Sequence, residues 1–184
     1  VQGGVYPDLR LQCSTELQRH NFSGFAVGGL SVGEPKSQYN DITAVTVPAL
    51  PWDKPRYMMG VGSPPEILEA IRYGVDMFDC VMPTRNGRNA MLFTTNGVIN
   101  IDNKKWEKDF SPIDTGIECE VSNFYSKAYL RHLIKAKEML GLTIASIHNL
   151  AFYIWLVTEA RKQIEAGSFK GWKEEMVLRL QQRL

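Results

Sequence analysis

Short apolar runs closed by glycine alternate with helix-like segments in the first part of the chain. Two such runs lie at residues 24–29 and 57–62, and a further apolar segment lies at 75–82. Runs of this length that are bounded by glycine predict buried strands. Residues 9–20 and 63–73, which lie between them, have helical spacing. Strand, glycine turn, helix and strand in this order predict βαβ units and a parallel sheet.

Both predicted helices carry end signals. Asp8 is predicted to cap the first helix. Ser63 is predicted to cap the second, with Pro64 in the first turn and Glu66 completing a capping box. Gly74 is predicted to end that helix, because glycine readily adopts the left-handed conformation found after helix ends.

After Pro83 the pattern changes to a hairpin and then to helices. Residues 90–101 alternate around a Thr-Asn-Gly turn at 95–97, which predicts a β-hairpin, and residues 102–122 are polar and irregular. Helical spacing begins at Tyr125. The apolar face of this first helix consists of Tyr129, Leu130, Leu133, Ile134 and Leu140. Further helices are predicted at about residues 144–166 and 172–184, and core packing is the simplest reading of all these apolar faces.

Composition fits one folded, soluble domain. The chain is 44% hydrophobic and 22% charged. No uninterrupted apolar run reaches the roughly 18–20 residues that cross a bilayer. Three widely separated cysteines argue against a disulfide framework and favour a reducing cytosol. The net charge of +1 means that any site for a polyanion must be a local cluster. Because residues 1–4 resemble the end of a strand and no initiating Met precedes them, we expect a piece of a longer protein.

Asp79 is the first candidate for chemistry. It lies near the end of a predicted parallel strand, where barrel enzymes place catalytic groups. Alternatively, it caps a turn or pairs with Arg85. Cys80 follows directly, and because neighbouring residues of a strand point to opposite faces, Cys80 is expected to pack outward if Asp79 faces the site.

Glycine pairs and arginines provide weaker signals. Gly28 and Gly29 end an apolar strand and would let a flat ligand approach the backbone, although a tight turn explains them as well. Residues 60–62 (Gly-Val-Gly) weakly resemble a phosphate-binding loop without its full spacing. Arg85 and Arg88 are predicted to flank a turn, and suit phosphates or base edges unless the segment is simply a solvated loop.

Taken together, these segments resemble the tRNA-guanine transglycosylases over essentially the whole chain. The matching pieces are residues 2–4 (Gln-Gly-Gly), 25–34 (Phe-Ala-Val-Gly-Gly-Leu-Ser-Val-Gly-Glu), 57–62 (Tyr-Met-Met-Gly-Val-Gly), 76–89 (Asp-Met-Phe-Asp-Cys-Val-Met-Pro-Thr-Arg-Asn-Gly-Arg-Asn), 125–130 (Tyr-Ser-Lys-Ala-Tyr-Leu) and 148–149 (His-Asn). The stretch around Asp79 is the most specific of them, whereas the glycine pairs alone are weak.

The resemblance implies an α/β fold, the C-terminal part of a (β/α)8 TIM barrel with an inserted small subdomain and C-terminal helices. Residues 1–89 would be the barrel portion, 90–143 the hairpin with a zinc-subdomain-like insertion, and 144–184 the C-terminal helices. The family exchanges the wobble guanine in the tRNA anticodon loop for a 7-deazaguanine, in bacteria usually preQ1, in queuosine biosynthesis. The resemblance therefore also implies a cytoplasmic enzyme, a homodimer at full length and no membrane association.

The resemblance also assigns roles to residues. Asp79 matches the family's nucleophile. The positions implied to bind or line the pocket of the base are Gln2, Gly28, Gly29, Leu30, Glu34 and Met59. The positions implied to contact tRNA are Gly60, Val61, Gly62, Ser63, Pro64, Pro65, Glu66, Thr84, Arg85, Asn86, Gly87 and Arg88. A carboxylate suits this reaction because it can trap an oxocarbenium-like ribose covalently at C1′.

Two departures from the family pattern matter. The family's other essential carboxylates lie upstream of this sequence, so we expect the chain alone to be inactive. The family also binds zinc through three cysteines and a distant histidine, and the matching positions here are Ile117, Cys119, Ser122 and His148. Because isoleucine cannot bind a metal and neutral serine is a poor zinc ligand, no cofactor or metal is expected.

Two alternatives to a catalytic chain stay open. One is a non-catalytic tRNA-binding or accessory subunit of such an enzyme, which the missing zinc ligands suggest. The other is an unrelated barrel enzyme acting on a small glycoside or phosphate, which would not explain so long a match.

Overall fold

The computed structural model describes residues 1–184, which form a mixed α/β structure of helices and two small sheets. The chain divides into two compact units, Val1–Cys80 and Val81–Leu184. Each unit is described by itself below.

The first unit contains a parallel sheet of three short strands in the order β1-β2-β3. These strands are β1 (Phe25–Val27), β2 (Arg56–Met58) and β3 (Met77–Phe78). Its helices are α1 (Pro7–Gln18), α2 (Lys36–Thr46) and α3 (Pro64–Tyr73). The predicted strand–helix–strand order and the parallel pairing are confirmed. Val27 and Met58, which are 1% and 0% exposed, place the core against one face of this sheet.

Several predicted boundaries in this unit are wrong. Helix α1 begins at Pro7, with Tyr6 in the N-cap position, so Asp8 lies inside the first turn rather than capping the helix. The predicted capping box of α3 does not form, because the side chain of Ser63 makes no capping hydrogen bond. The predicted end of α3 is confirmed, since Gly74 has a left-handed φ of 99°. The segment 75–82 contributes only two strand residues, and α2 is not predicted by the sequence pattern.

The second unit is a hairpin packed among helices. Helix α4 (Met82–Arg88) precedes the antiparallel strands β4 (Met91–Thr94) and β5 (Gly97–Asn100), which confirm the predicted hairpin. A 3-10 turn at Lys104–Lys108 follows, and the remaining helices are α5 (Glu120–Phe124), α6 (Lys127–Lys135), α7 (Met139–Glu165) and α8 (Phe169–Gln181). The core joins the hairpin to α6 and α7 through Leu92, Ile99, Ile101, Ile113, Leu130, Leu133, Ile144 and Ala145.

The helices of this unit differ in extent from the prediction. The segment around Arg85 and Arg88 is the helix α4 and not a turn. Helix α6 ends at Lys135, so Leu140 belongs to α7, which begins at Met139 and crosses the expected domain boundary at 143/144. Helix α8 begins at Phe169, three residues earlier than predicted, and ends at Gln181.

Helix α7 is long and apolar enough to cross a membrane by length and composition alone. However, 44% of its most apolar window is buried inside the structure. Its buried residues include His148 and Asn149, whose side chains bond to the hairpin and to α4. These properties fit a helix that is packed in the core of the second unit.

Candidate active site

The candidate site lies at one edge of the parallel sheet. Because β1, β2 and β3 run in the same direction, the segments that follow them leave from the same edge. These segments begin at Gly28, Met59 and Asp79. The amide of Met59 bonds to the carbonyl of Val27 at 3.5 Å, which holds the first two segments side by side.

Asp79 is an exposed carboxylate held in a fixed orientation. Its Oδ1 accepts a hydrogen bond from the Tyr57 hydroxyl at 2.6 Å and another from the Gly60 amide at 2.9 Å. The Tyr57 hydroxyl, followed by the Gly60 amide, lowers the pKa of Asp79 below its ordinary value of 3.8. Asp79 is therefore ionised at neutral pH, which suits a nucleophile or an electrostatic stabiliser and not a proton donor.

Tyr57 is a site residue that the sequence analysis did not assign. It lies on β2 opposite Met77 of β3, two residues before Asp79. The bond to Asp79 raises the pKa of the Tyr57 phenol, so the phenol keeps its proton and remains the donor. The sequence signal that could have found it is a tyrosine on the strand next to the one that leads to the carboxylate.

Gln2, Gly28 and Gly29 form a close-packed surface next to β1. A Cβ atom on Gly28 would lie 2.5 Å from Nε2 of Gln2, and a Cβ on Gly29 would lie 2.6 Å from its Oε1. Side chains at either position would thus displace the Gln2 amide. Gly29 also has a φ of 65°, in the left-handed region that favours glycine. The structure brings these three expected base-binding residues together.

Leu30 and Glu34 lie on the loop after this surface. Leu30 is 6% exposed, and the Glu34 carboxylate accepts hydrogen bonds from the amides of Ser31 and Val32. Burial raises the pKa of Glu34, but the loop amides outweigh it and the net pKa is lowered. Glu34 also borders a small cavity of ≈ 100 Å³. Met59, the remaining expected pocket residue, is 48% exposed.

The first expected tRNA segment, residues 60–66, is only partly accessible. Gly60 is exposed, whereas Val61, Gly62 and Pro64 are buried and the others are half-buried. The Glu66 carboxylate lies 4.0 Å from Lys36. Gly60 takes part in the site through its amide, which binds Asp79.

The second expected tRNA segment lies on α4. Arg85 and Arg88 are both exposed, and residues three apart on a helix are neighbours on its surface. Gly87 faces the opposite way, since a Cβ there would lie 2.9 Å from the backbone of Ala145 on α7. Gly87 is therefore needed for close helix packing and is buried, whereas Thr84 and Asn86 are half-buried.

The residues at the expected zinc positions do not fit a tetrahedral zinc site. His148 is fully buried, with Nδ1 2.8 Å from the Ser122 hydroxyl and Nε2 2.8 Å from the Phe93 carbonyl. Because a carbonyl only accepts, Nε2 carries the proton and Nδ1 accepts from Ser122. Both ring nitrogens are thus engaged, and burial lowers the pKa of His148 so that the ring stays neutral. Ile117, which has no donor atom, is 2% exposed.

Comparison with known proteins shows relatives across the whole chain. Residues 1–182 match the family described as queuine tRNA-ribosyltransferase. A queuine tRNA-ribosyltransferase from Clostridium acetobutylicum is 49% identical over 174 residues, covering 95% of this chain and 46% of that protein. One from Natranaerobius thermophilus is 48% identical over 174 residues, covering 95% of this chain and 47% of that protein. One from Treponema denticola is 46% identical over 184 residues, covering 100% of this chain and 48% of that protein.

The chain thus spans about half the length of the curated relatives it matches. The family match extends from the segment of Gln2 through Asp79 to α8, so it includes every element of both units. The resemblance noted from the sequence motifs is confirmed at this level. The chain belongs to the queuine tRNA-ribosyltransferase family.

Proposed function

We propose that this chain supplies the nucleophile and part of the base pocket of a tRNA-guanine transglycosylase. The observation that carries the proposal is the exposed, ionised Asp79 carboxylate, oriented by Tyr57 and Gly60 at the sheet edge where the Gln2–Gly29 surface also lies. In this proposal the three-stranded sheet is part of a (β/α)8 barrel, whose active sites lie at the carboxyl ends of the strands.

In the proposed reaction, a carboxylate oxygen of Asp79 attacks C1′ of the wobble guanosine. A C1′–O bond forms and the C1′–N9 bond breaks. The electron pair of the broken bond leaves with guanine, which takes up a proton. The incoming 7-deazaguanine, such as preQ1, then loses a proton, attacks C1′ and releases the Asp79 carboxylate. Proton transfer is assigned to carboxylates in the other half of the relatives' length.

The Gln2–Gly29 surface suits the recognition of a flat base. The Gln2 amide offers both a donor and an acceptor, and the Gly29 amide bonds to no acceptor within the chain. Without side chains at Gly28 and Gly29, the backbone can approach the edge of a purine that is splayed out of the RNA loop. Leu30, Glu34 and Met59 are proposed to complete this part of the pocket.

The exposed face of α4 is proposed to contact the tRNA. Arg85 and Arg88 present two adjacent guanidinium groups, whose donor geometry matches phosphate oxygens. Such a local cluster reconciles a polyanionic substrate with a chain whose net charge is only +1. Gly60 and the half-buried residues around Ser63 are the proposed secondary contacts.

We further propose that the subdomain around Ser122 and His148 holds no structural zinc. The hydrogen bonds of His148 to Ser122 and to the Phe93 carbonyl connect α7 to α5 and β4, as a structural metal would otherwise do. A cytoplasmic homodimer at full length, as implied by the resemblance, belongs to the same proposal.

The proposed function is tested in the full-length enzyme, meaning this chain joined to the remaining half of the length of its relatives. The assay follows the incorporation of labelled guanine into tRNA, together with tRNA binding. Incorporation supports a transglycosylase. Binding of tRNA without incorporation would mark an accessory subunit. The absence of both incorporation and tRNA binding would contradict the proposal altogether.

A further inference from the structure

Arg10 is a fully buried arginine whose guanidinium is held by backbone carbonyls and not by a salt bridge. It lies on α1, is 0% exposed and forms no salt bridge within the chain. Its guanidinium instead donates to four backbone carbonyls. Nε bonds to Gly4 at 2.8 Å, Nη1 to Gly28 at 2.6 Å and to Val1 at 3.2 Å, and Nη2 to Gly29 at 3.0 Å. Burial of an arginine on carbonyls alone is unusual, because desolvating the charge is costly.

These four carbonyls belong to the two segments that form the proposed base-binding surface. Val1 and Gly4 flank Gln2, and Gly28 and Gly29 lie directly against the Gln2 amide. Arg10 therefore lies beneath this surface and ties its two halves together. A further contact supports the same arrangement, since the backbone amide of Gln2 donates to the sulfur of Cys13 on α1 at 3.3 Å.

The hydrogen bonds of Arg10 also determine which way the backbone amides point. In a trans peptide the C=O and N–H groups point in opposite directions. With the carbonyls of Gly28 and Gly29 turned toward the buried guanidinium, the amides of Gly29 and Leu30 are turned away from it. Neither amide donates to an acceptor within the chain, and Gly29 is exposed. The Gly29 amide is therefore accessible to a ligand, and the Leu30 amide has no competing acceptor within the chain.

We infer that Arg10 is a positioning residue for the base. It fixes the peptide groups that carry the Gly28 and Gly29 carbonyls, so that the amides of Gly29 and Leu30 donate to the carbonyl edge of the guanine or 7-deazaguanine. Its positive charge acts through these peptides, because an N–H group is a stronger donor when the carbonyl of the same peptide accepts a hydrogen bond. Arg10 itself does not touch the base. The inference rests on the proposed function, since it assumes that the surface binds this class of base.

The test compares Arg10→Met, Arg10→Lys and the control Arg19→Met in the full-length enzyme. Arg19 lies just after α1 and is exposed, so the control removes the same charge near the same helix. For Arg10→Met we expect KM for guanine to rise about tenfold or more, the equivalent of one unsatisfied hydrogen bond, with KM for tRNA within about twofold. Arg10→Lys keeps the charge but not the fork, and is expected to restore part of the loss.

The split between the two KM values separates positioning from a merely structural role. KM does not depend on the fraction of enzyme that is folded, so partial unfolding alone would leave both values unchanged. If Arg10→Met does not fold, Arg10→Lys carries the test, with a smaller rise in KM for guanine only. An unchanged KM for guanine in an active variant, or equal rises in both KM values, would overturn the inference. A wild-type enzyme that exchanges no guanine would instead overturn the proposed function, and the inference with it.

Discussion

Replacing Ser122 by alanine is expected to destabilise the second unit without any change in the exposed surface. Ser122 and His148 are both 0% exposed, and the serine hydroxyl donates to Nδ1 of the histidine over 2.8 Å. Alanine would leave Nδ1 as a buried acceptor without a partner. Such a loss costs about 1–3 kcal/mol of unfolding free energy. For a chain of this size, each kcal/mol lowers Tm by roughly 2–4 °C.

The assay is urea unfolding of the 184-residue chain, followed by tryptophan fluorescence. Ser146→Ala is the matched control, since Ser146 lies two residues before His148 on α7, is half-buried and makes no side-chain hydrogen bond. The control is expected to stay within about 0.5 kcal/mol of the wild type. A loss of the same size in both variants, or in neither, would refute the argument from the buried hydrogen bond.

Elemental analysis of protein purified without chelator tests the metal side of the same account. We expect no stoichiometric zinc, because tight tetrahedral binding needs about four good ligands and both nitrogens of His148 are engaged. One zinc per chain that is lost, together with thermal stability, in Cys119→Ser would show that the ligand set has been misassigned.

Three further predictions concern the candidate site in the full-length enzyme and in the chain alone. Tyr57→Phe removes a hydrogen bond that lowers the pKa of Asp79, so the acid limb of kcat/KM should move to higher pH, toward the ordinary carboxyl value of 3.8; a shift to lower pH would contradict this sign. Arg85→Ala and Arg88→Ala should each raise KM for tRNA and reduce the slope of log affinity against log salt by about one unit per lost phosphate contact, unlike the exposed control Arg161→Ala. Unchanged tRNA affinity in both arginine variants would show that α4 is an ordinary solvated surface and does not contact tRNA. The 184-residue chain alone should incorporate no guanine, and measurable incorporation would mean that the site is more self-contained than proposed.

Local sequence signals predicted the elements whose structure depends on short-range chemistry. The β-hairpin follows from its Asn-Gly turn, and the end of α3 follows from Gly74, which adopts the left-handed conformation that ends a helix. The position of Asp79 directly after β3 follows from the apolar strand before it. These features need only neighbouring residues, so the sequence pattern was sufficient to predict them.

The features that were not predicted depend on long-range contacts. Helix α4 contains proline, asparagine and glycine, which are poor helix formers, and is helical because Gly87 lets it pack closely on α7. The bond between Tyr57 and Asp79 joins residues 22 positions apart. Arg10 finds its partners among carbonyls up to 19 positions away, and arginine is rarely buried, so neither composition nor periodicity indicates its place.

The most direct test of the central claim is to identify the residue that carries ribose during turnover. The full-length enzyme is quenched by denaturation while it exchanges labelled guanine, the RNA is digested with nuclease, and the peptides are mapped by mass spectrometry. The account predicts one ribose ester, on Asp79, and none in Asp79→Asn, which should bind tRNA within a few-fold of the wild type but exchange no base. A ribose adduct on another residue, or guanine exchange by Asp79→Asn, would contradict the account.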